Sequence, residues 1–278
     1  MTHPPGVGEA ASAARLRLEH LTLRFGGVAA LSDITFEVRD RELLALIGPN
    51  GAGKTSLLNC ISGLYRPQEG EIVFLDRDRK RHFLHRLAPH RIAELGVART
   101  FQNIELFKHM TVLENLMLGR HVHMRGGVVS GGLYWPSQRS REIEHRRHVE
   151  SVIDFLDLEP FRRSVVGTLA YGIQKLVELG RALALEPDVL LLDEPLAGMN
   201  AEEKESMARF ILDVHEEWGV TPVVIDHDMD VIMDIADRVV VLDFGRVIAT
   251  GPPAEIRHDA RVIDAYLGPA PSDVPAAL

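Results

Sequence analysis

The chain has 278 residues, 46% hydrophobic and 26% charged, an ordinary globular balance with enough length for a sizeable core. A net charge of −9 argues against a general nucleic-acid binder, so no nucleic-acid partner is expected. The single cysteine, Cys60, excludes a disulfide framework and suits a reducing compartment. The N-terminus lacks the basic start and apolar run of a secretory signal, and no stretch approaches the length that spans a bilayer.

In chain order, residues 1–14 and 268–278 are rich in Pro, Gly and Ala and are expected to be flexible tails around one domain over 15–267. LRLEHLTLRF alternates apolar and polar residues as a half-buried strand does, and ITFEV continues a β-rich opening. LLALIG is almost wholly apolar, as a strand buried on both faces should be. Residues 119–136 hold five glycines without periodicity and predict a long loop, followed by a helix over 137–158. VLLLD and TPVVID are further buried strands, flanking a helix that Gly219 should stop. RVVVLDFGRVIATG predicts two strands joined at Phe244–Gly245. The alternation of strands and helices predicts an α/β fold: a mainly parallel core sheet with an antiparallel flank.

Two stretches carry chemistry. GPNGAGKTS, comprising Gly48, Pro49, Asn50, Gly51, Ala52, Gly53, Lys54, Thr55 and Ser56, lies between a buried strand and an apolar helix start. That is the setting in which G-x-x-x-x-G-K-[ST] forms a phosphate loop. Its glycines let backbone N–H groups converge on an anion at a helix N-terminus. Lys54 places a point charge at the β- and γ-phosphates, and the Thr55 hydroxyl can ligate Mg²⁺. VLLLDEP ends a buried strand in two carboxylates, an expensive arrangement without a task. Asp193 is suited to hold Mg²⁺ through water, and Glu194 to orient or deprotonate an attacking water.

With Gln102 in RTFQN, LAYGIQ at 169–174 and His227 in VIDHD, these stretches stand in the order and spacing of the ATP-binding subunits of ABC transporters, which the chain resembles over about 16–267. The resemblance implies a P-loop NTPase (RecA-like) core, an antiparallel β subdomain and a helical subdomain over about 102–167. It implies that Phe25 stacks on adenine, that Gln102 touches Mg²⁺ and the lytic water, and that His227 contacts the γ-phosphate. Ala170, Tyr171 and Gly172 would then receive the ATP held by the opposite subunit. In most of the family that turn reads LSGGQ.

The LAYG form, the A-G-x-N of Ala197–Asn200, the glycine-rich insertion and the VIDAYLG ending resemble the larger ATPase type of the branched-chain amino-acid importers. The implied assembly is two ATPase subunits, identical or paralogous, on two transmembrane permeases served by a solute-binding protein. The chain would work peripherally at the cytoplasmic membrane face. Rival readings are an ATPase for lipids or other hydrophobic solutes and a soluble, non-transport ABC ATPase. Those transport systems generally keep LSGG, and the soluble type usually has tandem domains or a coiled-coil insertion. Ile173 stands where a polar residue is expected, and Asp226 where glutamate is usual. Gly180, within a helix, implies close packing. The basic runs 77–86 and 141–148 are expected to be solvated surface, with a membrane- or permease-facing edge as the alternative.

Overall fold

Alternation along single strands decides the layering. The computed structural model describes residues 14–100, 106–120 and 136–267. Its strands are β1 (Ala14–Phe25), β2 (Val28–Arg39), β3 (Leu44–Ile47), β4 (Glu69–Leu75), β5 (Arg81–Phe83), β6 (Val97–Arg99), β7 (Val189–Asp193), β8 (Thr221–Ile225), β9 (Arg238–Asp243) and β10 (Arg246–Gly251). The helices are α1 (Lys54–Ile61), α2 (Pro89–Glu94), α3 (Val112–Arg120), α4 (Pro136–Phe155), α5 (Tyr171–Leu183), α6 (Ala201–Glu216), α7 (Met229–Ile235), α8 (Pro253–Ile256) and α9 (Ala260–Leu267). Six strands form one sheet in the order β10-β9-β3-β8-β7-β6, parallel except for the β9–β10 hairpin. An antiparallel sheet, β2-β1-β4-β5, lies on one side.

Successive residues of β3 serve opposite cores. Ala45 and Ile47 join the helical side, while Leu44 and Leu46 join the side shared with α1 and the antiparallel sheet. The same split runs through β7, with Leu190 and Leu192 on one face and Val189 and Leu191 on the other. Both faces of the central strands are therefore covered, which explains their near-unbroken apolar sequence. Helices α3, α4 and α5 extend the first core, and the close packing expected at Gly180 is present. A methyl group there would lie 3.1 Å from a Leu156 methyl and 3.3 Å from Leu116.

The predicted hairpin turns at Phe244–Gly245, as the sequence suggested. Helix α6 stops at Glu216, three residues before Gly219, which takes the left-handed conformation. Helix α4 spans 136–155 rather than 137–158. Both proposed tails lie outside the described residues except Ala14, and so do Gln102 and positions 121–135 of the glycine-rich loop.

Most of the basic side chains in 77–86 are paired. Arg77 bonds Asp188, Lys80 bonds Asp78, Arg86 bonds Glu71 and His82 bonds Asp76. The second run engages similarly through Arg146–Glu150 and His148–Glu186. Paired, partly solvated charge is the ordinary surface reading.

Candidate nucleotide site at the strand ends

The loop after β3 is shaped by backbone. Gly48 has φ +149°, and a Cβ there would lie 2.0 Å from the Leu242 carbonyl oxygen, so no larger residue fits without moving β9. Gly51 and Gly53 also have positive φ, and α1 begins immediately afterwards at Lys54. The turn is tied to both sheets. The Gly245 N–H donates to the Ala52 carbonyl at 3.0 Å, and the Ser32 N–H to the Gly245 carbonyl at 2.8 Å. The β9–β10 turn thus joins the phosphate loop to β2 by main-chain bonds.

Lys54 is only 7% exposed and folds back over the loop, donating to the carbonyls of Gly48 at 2.6 Å and Pro49 at 3.0 Å. Burial pushes its ammonium below the ordinary lysine value, while the Glu194 and Asp193 carboxylates draw it back up. The cation is thus held at the loop with both acidic residues at the end of β7 in its field. Cys60, on the buried face of α1, packs in the core, where desolvation pushes its thiol up to about 12.

At the end of β7, Asp193 is 1% exposed. Its Oδ2 accepts from Arg99 Nη2 at 2.9 Å, and Arg99 Nη1 also reaches Asn59 Oδ1 at 2.6 Å and Ser62 Oγ at 3.0 Å. Arg99 therefore braces the strand end against α1. The other oxygen, Asp193 Oδ1, is buried with no hydrogen-bond partner among the described residues. A buried carboxylate oxygen left without a donor is costly, and a metal-bound water would satisfy it. The donor set Thr55, Asp193 and Gln102 is chemically suited to Mg²⁺, although the placement of Gln102 lies outside the described residues.

Glu194 follows in the left-handed region at φ +52°, a costly conformation for a residue with a Cβ. Its N–H donates to the Ile225 carbonyl at 2.7 Å, fixing the turn to the end of β8. Its Oε1 lies 2.9 Å from His227 Nε2, an imidazole–carboxylate contact in which the protonated ring nitrogen donates. Asp226 explains why these two stay together. Its buried carboxylate accepts the N–H groups of His227 at 2.7 Å and Asp228 at 3.0 Å, and that of Leu196 at 2.9 Å. It clamps the loop after β7 to the loop after β8. Asp228 in turn caps α7 and accepts from Lys204 at 2.7 Å, which holds its carboxyl below the usual carboxylate range.

Phe25 ends β1 about half exposed, its ring edge-on to Tyr65 with centroids 5.2 Å apart. It lies where β1 turns into β2.

The LAYG turn packs along the segment that follows Glu194. Ala170 is the N-cap of α5 and offers no side-chain cap, while Tyr171 is 44% exposed. A Cβ on Gly172 would lie 2.4 Å from Glu203 Oε1, whose other oxygen completes the α6 capping box with Asn200. The Tyr171 ring lies against Gly198, where a Cβ would come within 3.0 Å of it. Ile173 packs against the main apolar core, which accounts for its character. Arg99, Tyr65 and Lys175 were not flagged by motif. Arg99 and Asp193 are 94 positions apart, and only the sheet brings them together.

Residues 31–197 match the family model described as "ABC transporter". The chain belongs to the ABC transporter family. Residues 246–268 match a second model, "Branched-chain amino acid ATP-binding cassette transporter". The high-affinity branched-chain amino acid transport ATP-binding protein BraF of Pseudomonas aeruginosa is 39% identical over 255 residues, covering 92% of this chain and 98% of BraF. Its counterpart LivG of Escherichia coli K12 is 38% identical with the same coverage. The crystal structure of a nucleotide-free ATP-binding cassette from an ABC transporter aligns with a TM-score of 0.78 at 30% identity, covering 92% of this chain and all of that one. A dimeric cassette in a post-hydrolysis state, bound to ADP and Pi, aligns at 0.69 and 25% identity over 86% of this chain and 98% of its own. The protein is a nucleotide-binding, ATP-hydrolysing transport ATPase with a P-loop NTPase core. Among the described residues no helix of this ABC ATPase is long and apolar enough to cross a membrane.

Proposed function

We propose that the chain is the ATP-hydrolysing subunit of an importer for branched-chain or related amino acids. It would sit at the cytoplasmic face of the membrane on two permease subunits supplied by a solute-binding protein. The observation that carries the mechanism is the 2.9 Å contact between Glu194 and His227 at the strand ends, beside a buried lysine and a buried aspartate oxygen with no partner among the described residues.

ATP binds with its phosphates in the loop 48–56. Lys54 exchanges its loop carbonyls for β- and γ-phosphate oxygens, and the adenine rests on Phe25. Magnesium, when bound, supplies charge neutralisation at those oxygens, and Thr55, Asp193 and Gln102 are the residues that would hold it. Glu194 accepts the proton of a water that attacks the γ-phosphorus as the bond to the bridging oxygen breaks. His227 holds the Glu194 carboxylate before the nucleotide arrives and faces the γ-phosphate afterwards. The site is completed by Ala170, Tyr171 and Gly172 of a second ATPase subunit, a copy or a paralogue, so turnover requires a head-to-tail dimer. The helical region over about 102–167 is the part that would carry this closure to the permeases.

A Glu194→Gln variant tests the assignment. Loss of a general base lowers turnover by about 10²–10⁴-fold. The variant should bind ATP, hydrolyse it at that reduced rate and accumulate as an ATP-bound dimer by size-exclusion chromatography. Wild-type turnover in this variant would remove Glu194 from the role.

A further inference from the structure

Lys175 is one turn into α5 and only 3% exposed, on the side of the helix that packs against the core. Burying an ammonium is costly without compensation, and Lys175 forms no salt bridge among the described residues. Its Nζ donates to the backbone carbonyl of Glu194 at 3.4 Å and lies 6.0 Å from the centre of the Tyr171 ring. The same Glu194 carbonyl accepts the Ala197 N–H at 3.2 Å, and the residue bearing it is held at φ +52°. A cation on that oxygen adds to the two backbone hydrogen bonds that hold this residue in the left-handed region.

The contacts around it run the same way. Tyr171 lies on Gly198 and Gly172 on Glu203, so the N-terminal turn of α5 is packed along the whole segment from Glu194 to the α6 cap. The turn offered to a second subunit's nucleotide is therefore built onto the segment that carries this subunit's own base.

We infer that Lys175 is a positioning residue, whose ammonium fixes the Glu194 peptide and so aims the carboxylate used in hydrolysis. It touches neither the nucleotide nor the attacking water. The inference rests on Glu194 being the base. It does not depend on the cross-subunit role of the LAYG turn, because the contact lies within one chain.

The test is Lys175→Met in the full-length protein. Losing a hydrogen bond to a charged group at this point should lower kcat about 10-fold while the KM for ATP is unchanged. Amide hydrogen exchange over residues 194–199 of the nucleotide-free chain should rise. Lys175→Arg should restore both. If Lys175→Met fails to fold, Lys175→Gln is measured with the same two readouts. Unchanged kcat, or a lowered kcat with unchanged exchange at 194–199, overturns the inference. If instead Glu194→Gln proved fully active while Lys175→Met still loosened 194–199, the base assignment would fail and the packing link would stand.

Discussion

Two glycine-bearing turns at helix N-termini, 48–56 and 170–172, are built in opposite ways. The loop 48–56 is finished within the chain. Its lysine is buried and bonded to loop carbonyls, its turn is fastened to both sheets, and its first glycine has no space for a side chain. The turn 170–172 is held differently: an alanine caps it without a hydrogen bond, an exposed tyrosine flanks it, and Gly172 is buried beside Glu203. In the proposed function the first is a cradle complete in one chain and the second receives the nucleotide held by another subunit.

Substitutions at the two sites should separate affinity from turnover. Lys54→Ala removes a charge from the finished cradle and should weaken ATP binding at least about 100-fold, with turnover lost in step, as calorimetry and a phosphate-release assay would report. Retained affinity would mean that the backbone alone binds the phosphates. Gly172→Asp places a carboxylate in the second turn, where it repels phosphate and collides with Glu203. Turnover should vanish while the single chain keeps its ATP affinity. Loss of both would merge the two sites into one and end the comparison. The smallest effect is expected at Phe25→Ala. Base–aromatic stacking contributes about 1–3 kcal/mol, so ATP affinity should fall roughly tenfold with little change in maximal rate. A change in rate alone would place Phe25 outside the binding surface.

The cradle was the more legible of the two in the sequence, because its spacing is local: strand, glycines, lysine and helix lie within about twenty residues. The central strands were legible too, since burial on both faces leaves few polar residues to blur them. The supports of the site were not. Lys175 is a charged residue in an amphipathic helix, where a lysine ordinarily signals solvent, and only the packing of α5 reveals that it is inside. Asp226 looked like a departure from pattern and is a three-pronged backbone clamp. Such groups act through long-range proximity, which no spacing along the chain encodes. Ile173 belongs with them, since its apolar character follows from core contact and not from the chemistry of the turn.

The main-chain stitch through Gly245 has a further consequence. It ties the loop 48–56 to the sheet in which Phe25 ends β1, using main-chain bonds that only a proline at Ser32 or Gly245 would remove. The span between the aromatic platform and the lysine therefore behaves as a gauge of fixed length. The strand end that carries Phe25 and the loop that carries Lys54 are thereby parts of one main-chain-linked unit.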